Sequence, residues 1–270
     1  LGLDARDLAE MVFETNQALK LIINQADGKV LNANKAACQF YGFSCKELTK
    51  LSFFDLVVEN DATVLQDLQR GFLEDSFYIQ LTQKTANNQL RDVEIYLGKL
   101  DEEKGRTLYA IIHDITDRKL AEQELAIRDQ ILYAVSQAAQ LLLKIENLDQ
   151  AIPLALDTLG KATGVNCICV FENHVHSEED VMAKRVFHWR SSVDEEGEEP
   201  PQLDRFFYVR DGLRHWLKEL FGGGSIYNNI DNFSEEEKEI FLPLHVNSFL
   251  IMPIYTSSSW WGFIGFFVKD

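Results

Sequence analysis

The sequence is poor in cysteine and proline, and it has no long hydrophobic run. It contains four cysteines and five prolines among its 270 residues. No apolar run approaches the roughly 18 residues that a membrane-spanning helix requires, so no membrane segment is expected in it. The four cysteines match neither a zinc ligand framework nor the disulfide scaffold of an extracellular domain, and a reducing cytoplasm fits them best.

Positive charge is also scarce. Lys and Arg number 26 against 43 Asp and Glu, which gives a formal net charge of −17. A field of that sign repels phosphates and anionic membrane surfaces, so no nucleic acid partner is expected. The sequence has no nucleophile elbow, kinase motif set, metal-ligand helix or Walker loop. It therefore predicts a non-enzymatic protein without a metal site.

One long helix, predicted over residues 117–145, organises the rest of the chain. The stretch has no Pro or Gly and follows polar residues that can cap a helix. Its apolar positions alternate in steps of three and four, which is typical of a coiled-coil seam. The seam positions are Leu120, Glu124, Ile127, Ile131, Ala134, Ala138, Leu141 and Ile145.

This seam is weak because Glu124, Ala134 and Ala138 occupy three of its positions and bury little apolar surface. We therefore expect a homodimer that forms through the connecting helix and tolerates changes in pitch or register. The alternative is a single amphipathic helix that packs on the domains of its own chain.

The length of the chain allows a compact module on each side of that helix. The expected division is a leading helix over residues 1–13, a first module over 14–116, the connecting helix over 117–145, and a second module over 146–270. Because the chain begins at Leu1 without a Met, we expect it to be a piece of a longer protein.

The first module reads as a small α+β unit. Asp27-Gly28 before Val30 predicts a hairpin. Ser44 and Glu47 form the pattern of a capping box at a helix start. Three stretches of strand character, residues 77–84, 90–100 and 107–115, predict an antiparallel meander.

A family resemblance rests on the order of these elements. The segments D-G-K-V-L-x-A-N-x-A-A, Y-G-F-S-x-x-E-L, F-x-D-L and D-I-T-D-R-K-x-A-E-x-E-L together resemble a bacterial sensory-box PAS domain over residues 14–125. The resemblance implies a five-stranded antiparallel sheet around a pocket, with an Asp-Ile-Thr turn leading into a signalling helix. Asp114 and Thr116 are therefore the predicted signal-relay residues. Both side chains can also accept hydrogen bonds from the first N–H groups of that helix.

The motifs of this resemblance exclude some occupants of the implied pocket. A haem-binding PAS domain would carry a His in the helix over residues 61–73, where this sequence has none. A flavin-binding domain of the LOV type would contain Asn-Cys-Arg-Phe-Leu, which is also missing. Haem and LOV-type flavin are therefore disfavoured, and an empty or small-metabolite pocket is expected.

The second module shows a different alternation of strands and helices. Cys167 and Cys169 fall on one face of a predicted strand, where buried small residues are expected. Asp211 is expected to cap a helix that contains Trp216, and Ser234 begins a second capping box.

The end of the chain, S-F-L-I-M-P-I-Y followed by W-W-G-F-I-G-F, resembles a GAF domain. That resemblance implies a six-stranded sheet with a ligand pocket. The residues that could line it are His188, Tyr208, Arg210, Trp216 and Tyr227. A covalent bilin is disfavoured because no Cys-His pair occurs. The helix that follows the last strand in this family, and an output domain, are expected beyond Asp270.

The sequence thus predicts an α+β protein with two antiparallel sheets joined by a long helix. The implied function is that of a cytoplasmic sensory input region in a bacterial two-component or related signalling system. It would bind a small molecule or cofactor and relay the change through a dimeric helix to a histidine kinase or diguanylate cyclase. The alternative is a constitutive dimerisation scaffold with no bound ligand.

Overall fold

The computed structural model describes residues 4–15, 17–58, 62–100, 107–177, 180–191, 204–257 and 259–269. The described residues form two antiparallel sheets, and the chain divides into two compact units, residues 1–125 and 126–270. A long helix begins in the first unit and ends in the second. The predicted α+β class, with two antiparallel sheets and a connecting helix, is confirmed.

Among its described residues, the first unit contains five strands, four α-helices and the start of the long helix. The strands are β1 (Leu19–Asn24), β2 (Val30–Ala33), β3 (Ser76–Lys84), β4 (Leu90–Lys99) and β5 (Thr107–Asp114). The helices are α1 (Ala5–Glu14), α2 (Lys35–Tyr41), α3 (Cys45–Leu48) and α4 (Ala62–Gly71). The strand order is β2-β1-β5-β4-β3, and every pair is antiparallel. Helix α1 corresponds to the predicted leading helix, whose residues 1–3 lie outside the described residues.

Alternation along β4 separates the core of this unit from its other face. Val93 and Ile95 are buried, and they pack in one cluster with Tyr41 of α2 and with Phe53. Asp92 and Glu94 alternate with them in sequence and therefore point to the opposite face of the sheet. The sheet thus has an apolar face towards α2 and an acidic face elsewhere.

Local turn and capping signals form as predicted. Gly28 has φ +70° in the turn between β1 and β2, a conformation that favours glycine. At the start of α3, the Glu47 N–H donates to the Ser44 hydroxyl (3.3 Å) and the Ser44 N–H donates to the Glu47 carboxylate (2.9 Å). The capping box is therefore confirmed.

The cysteines of the first unit depart from the expectation. Cys38 in α2 and Cys45 in α3 form a disulfide bond, with their Cα atoms 5.5 Å apart. Helix α2 ends at Gly42 in the left-handed conformation, with φ +73°, and the chain turns back into α3. This turn brings together two cysteines whose spacing in sequence matched no disulfide scaffold.

Helix α5 (Thr116–Lys144) is the longest element of the described chain and has 29 residues. At 1.5 Å per residue it is about 43 Å long. Its first residue follows β5 after Ile115, which is buried. None of the helices in the described residues combines the length and hydropathy needed to span a lipid bilayer.

The second unit contains a six-stranded antiparallel sheet within the described residues. Its strands are β6 (Cys167–Ser177), β7 (Asp180–Arg190), β8 (Arg205–Phe207), β9 (Ile226–Asn229), β10 (Val246–Thr256) and β11 (Ser259–Lys269), in the order β8-β7-β6-β11-β10-β9. Its helices are α6 (Leu148–Thr163), α7 (Arg214–Phe221) and α8 (Glu235–Phe241).

Both faces of this second sheet are covered. On one face, Phe171 and Phe263 pack with Trp216 of α7 and Phe241 of α8. On the other face, Ile168 packs with residues of α6 such as Leu156. Cys167 and Cys169 are buried in the first of these clusters, as expected for small residues of an inward-facing strand.

One predicted cap in this unit is wrong. The Asp211 carboxylate does not cap α7; it accepts a hydrogen bond from the Phe207 N–H at 2.7 Å. Helix α7 begins after Leu213, which supplies no side-chain cap. Asp211 instead closes the turn that follows β8. The second predicted cap, Ser234 with Glu237, forms at the start of α8.

Candidate functional site

The junction between β5 and α5 is a dense set of polar contacts. The Asp114 carboxylate accepts hydrogen bonds from the Thr116 N–H (2.9 Å) and from the Thr116 hydroxyl (2.6 Å). The Thr116 oxygen accepts from the backbone N–H of Asp92 in β4 at 3.0 Å. The Ile115 N–H donates to the Asp92 carbonyl at 2.9 Å. The start of α5 is therefore fastened to β4 as well as to β5.

Ion pairs extend the junction along the first turn of α5. The Lys119 ammonium lies 2.9 Å from the Asp92 carboxylate, and the Arg118 guanidinium lies 3.0 Å from the Glu94 carboxylate. His113 contacts the same Glu94 carboxylate at 3.3 Å. The hydrogen bond from Arg118, assisted by that from His113, holds the pKa of Glu94 below its usual range, although partial burial opposes the shift. The acidic face of β4 therefore binds the basic start of the helix.

The two predicted relay residues meet in this junction, although only one of them caps the helix. Asp114 accepts from a helix N–H, as its residue type predicted. The Thr116 hydroxyl oxygen bonds to strand β4 instead of to a helix N–H. Thr116 consequently links three elements, β4, β5 and α5.

The second unit contains a half-open cleft of about 560 Å³. Its floor is aromatic and its rim carries charges of both signs. The floor residues are Phe171, Phe206, Trp216, Phe241, Phe263 and Phe267, and the charged rim residues are Arg205, Arg210, Asp211, Glu236 and Glu239. An apolar floor with a few charged groups at its edge is the usual composition of a small-molecule site.

The predicted pocket residues are distributed unevenly around this cleft. Arg210 and Trp216 line it. Tyr208 lies fully buried behind it, where its hydroxyl donates to Asn173 at 2.9 Å and burial raises the pKa of the phenol. His188 and Tyr227 are exposed and are not among the residues that line the cleft. Two of the five predicted residues therefore line the cleft, and Tyr208 packs against Phe206 of its floor.

Trp216 is fixed in the cleft by a buried carboxylate. Its indole N–H donates to Glu237 at 2.8 Å, and the same carboxylate accepts from Asn228 at 2.8 Å. Glu237 is 1% exposed. With its N–H satisfied, Trp216 presents its apolar ring to the cleft.

The predicted seam of α5 is exposed at one end and covered at the other. Leu120 and Ile127 are each 58% exposed. Ala134 and Ala138 are 4% exposed, and Ile131 and Leu141 are partly buried. Ala134 lines a shallow depression of about 330 Å³ together with Asp157, Thr158 and Lys161 of α6. Ala134 thus lies beside α6 within the second unit.

A second stripe on α5 is exposed along its length. Its residues also alternate in steps of three and four and lie about a quarter turn from the predicted seam. They are Leu125, Arg128, Leu132, Val135, Ala139 and Leu142, all of them exposed. We call these six residues the outer stripe.

The comparison with protein families identifies the first unit. Residues 19–117 match a family model described as a PAS domain. This segment is a PAS domain. The match includes β4, β5 and the turn from Asp114 to Thr116, and it ends at residue 117, before Arg118 and Lys119. The Asp114 to Thr116 turn therefore lies within the PAS domain.

The curated relatives are named as signalling proteins. The chain is 33% identical over 157 residues to the methanogenesis regulatory histidine kinase FilI of Methanothrix harundinacea. It is 27% identical over 129 residues to the sensor histidine kinase TmoS of Ectopseudomonas mendocina, and 27% identical over 119 residues to the diguanylate cyclase DgcM of Escherichia coli. The matches cover 58%, 46% and 42% of this chain but only 17%, 13% and 28% of those relatives.

Sequence reasoning missed Asp92 and Glu94, the two PAS residues that hold the helix. A signal for them was present, because Asp92-Val93-Glu94-Ile95 alternates acidic and apolar residues along a strand. The start of the next helix carries Arg118. An acidic strand face and a basic first helical turn in one domain predict such a contact.

Proposed function

We propose that the chain is the sensory input region of a bacterial signalling protein. The PAS domain, a GAF-like second unit, or both bind a small molecule, and the change passes through α5 to an output domain elsewhere in a longer protein. That output is a histidine kinase or a diguanylate cyclase. The PAS assignment and the names of the relatives support this proposal.

The observation that carries the relay is the position of Thr116. Its oxygen accepts from strand β4, and its hydroxyl and N–H donate to the Asp114 side chain of strand β5. A shift of β4 relative to β5 therefore changes the geometry of the first turn of α5. Ligand binding affects this equilibrium only through a difference in affinity between the two arrangements of the helix.

The aromatic cleft is the candidate ligand site in the second unit. The six strands of its sheet and the final hairpin support the GAF-like assignment. The volume of about 560 Å³ suits a small organic molecule. Planar apolar groups would stack on the floor, and polar substituents would reach Arg210 and the carboxylates of the rim.

Dimerisation is proposed to use the outer stripe of α5. The predicted seam is covered by its own chain at Ala134 and Ala138, whereas Leu125, Leu132 and Val135 stay exposed. Steps of three and four along a single helix are the spacing that packs against a second helix. A second copy of the chain supplies that helix, and its Asp129 would lie near Arg128 of the first copy in a parallel pair.

The relay is tested with a matched pair of threonine variants. Thr116→Val removes the hydroxyl that joins β4 to the helix, and we expect about fivefold faster amide exchange in the first two turns of α5. Thr158→Val is the control, because the Thr158 hydroxyl donates only within α6, to the Leu154 carbonyl at 2.9 Å. The output activity of the longer protein should change with the first variant and not with the second. Faster exchange with unchanged output activity would mean that the junction only caps the helix and relays no signal.

The ligand is tested by native mass spectrometry of the purified chain. We expect a dimer whose mass exceeds twice the chain mass by the mass of the bound molecule. Ile240→Trp, which fills the cleft from α8, should abolish any excess that arises there, and Ile230→Trp is a control outside the lining residues. A dimer without added mass, which no tested small molecule stabilises, would favour a dimerisation scaffold over a sensor.

A further inference from the structure

The disulfide of the PAS domain joins a buried cysteine to an exposed one. Cys38 lies in α2 and is 8% exposed, whereas Cys45 is the first residue of α3 and is exposed to solvent. The two are seven positions apart in sequence. One sulfur of the bond is therefore attached to a residue that reagents in solution can approach.

The bond ties a well-anchored helix to a weakly anchored one. Tyr41 of α2 is fully buried, and its hydroxyl donates to Gln83 of β3 at 2.6 Å. Helix α3 has four residues, which is too short to be stable by itself. It is held by its capping box, by buried Leu48 and by the disulfide. Loss of the bond therefore affects α3 much more than α2.

We propose that Cys38–Cys45 is a thiol–disulfide exchange site that controls the order of α3 in the PAS domain. Its substrates are small thiols of the glutathione class and their disulfides. This role is separate from ligand binding in the second unit and from the relay at Thr116. Either could fail without affecting it.

The exchange proceeds at the exposed sulfur. A thiolate from solution attacks Cys45 Sγ, the bond between Cys45 and Cys38 breaks, and Cys38 leaves as a thiolate that takes up a proton. A second small thiolate attacks the mixed disulfide on Cys45 and releases the oxidised small disulfide and the Cys45 thiol. The two electrons that reduce the cystine thus come from two small thiols. The reverse sequence, with an oxidised small disulfide as the oxidant, restores the bond.

The two cysteines of the second unit provide a contrast. Cys167 and Cys169 are buried, at 7% and 1% exposed. Their thiols should not react with glutathione disulfide in the folded protein. Redox chemistry in this chain is therefore directed to Cys45.

A matched pair of variants tests which sulfur is attacked. In Cys38→Ala, glutathione disulfide should add one glutathione to Cys45; in Cys45→Ala, the buried Cys38 should stay unmodified over the same time. Both are read by intact mass spectrometry with peptide mapping, and far-UV circular dichroism confirms that each variant is folded. Equal modification of both variants would refute attack at Cys45. If either variant is unfolded, acid trapping of the wild-type protein during partial reduction by glutathione gives the same information, with the mixed disulfide expected on Cys45.

The effect on the fold is tested by reduction of the wild-type protein. We expect reduction to lower the melting temperature of the PAS domain by about 10 °C, given the short loop that the bond closes. Amide exchange should increase in α3 more than in α2. A Cys38→Ala/Cys45→Ala double variant should not respond to reductant, whereas Cys167→Ala should respond as the wild type does. A wild-type protein with four alkylatable thiols after incubation with glutathione disulfide would overturn the proposal.

Discussion

At the scale of single residues, Glu237 does more than the helix cap that the sequence predicted. Its carboxylate connects several elements of the second unit. Its carboxylate accepts from Trp216 on α7, from Asn228 on β9 and from the Ser234 N–H at 2.9 Å, and it contacts His215 at 3.2 Å. A buried carboxylate is stable only when such donors replace water. Glu237 thus holds three elements around one wall of the cleft.

Removal of this carboxylate should destabilise the second unit. We expect Glu237→Ala to cost about 3 kcal/mol of unfolding free energy, because it leaves the buried Trp216 N–H without a partner. Urea unfolding followed by tryptophan fluorescence measures this, since all four tryptophans lie in residues 126–270. Glu239→Ala, an exposed position on the same helix, is the control and should cost less than about 0.5 kcal/mol. Similar costs for both variants would contradict the role of Glu237.

Glu94 predicts a pH dependence of the PAS domain. Arg118 lowers its pKa, so folding favours the ionised carboxylate. The resulting stabilisation is complete above the unfolded-state pKa of about 4.3, and it is lost as the pH falls through the lower folded-state value. Because Arg118 is 53% exposed, we expect no more than about 1 kcal/mol.

The measurement for Glu94 is urea unfolding of the first unit between about pH 6 and pH 3. Glu94→Gln should remove this component of the acid sensitivity, and Glu124→Gln, an exposed position on α5, should leave it intact. An acid sensitivity that is unchanged in Glu94→Gln would show that other carboxylates account for it.

At the scale of elements, the sequence predicted those features whose causes lie within a few residues. The Asp27-Gly28 turn and the capping boxes at Ser44 and Ser234 depend on local backbone geometry, and all three form. Asp211 failed as a cap because a competing donor, the Phe207 N–H, lies four residues earlier. The Cys38–Cys45 bond was missed because it depends on the turn at Gly42, which brings α2 and α3 together.

Only the structure shows which face of α5 is covered by its own chain, because two stripes on this helix share the same spacing. Periodicity alone does not show which stripe is covered by its own chain. Ala134 and Ala138 turned out to be buried, and the outer stripe exposed. The helix itself was predictable to within one residue at each end.

The outer stripe is tested with two substitutions at equally exposed positions. Leu132 is 56% exposed and Ile127 is 58% exposed. We expect Leu132→Glu to raise the dimer dissociation constant at least about 100-fold, because two charges would be buried in each dimer. Ile127→Glu should change it by less than about threefold. Sedimentation velocity measures both, and the reverse order would assign the interface to the seam predicted from the sequence.

At the scale of the whole molecule, the sequence is more informative about the function of the first unit than about that of the second. The PAS domain was recognisable because its motifs are spread over the whole segment, and the family model matches residues 19–117. In the second unit only the final hairpin carried a specific pattern. Its cleft depends on side chains from β8, α7 and α8 that are distant in sequence. His188, Tyr208 and Tyr227 were therefore predicted as pocket residues although they do not line this cleft.

The net charge of the whole chain predicts how dimerisation responds to salt. Each copy carries a formal charge of −17, so two copies repel each other before their helices meet. The outer stripe is mostly apolar, and its attraction is not weakened by salt. The screening length falls from about 30 Å at 0.01 M to about 10 Å at 0.1 M ionic strength, which removes most of the repulsion. We therefore expect the dissociation constant to fall about tenfold between roughly 20 and 200 mM sodium chloride, measured by sedimentation velocity. Leu132→Glu should stay monomeric at both concentrations. Weaker association at high salt would mean that ion pairs across the interface, such as Arg128 with Asp129 of the second copy, outweigh the apolar contact.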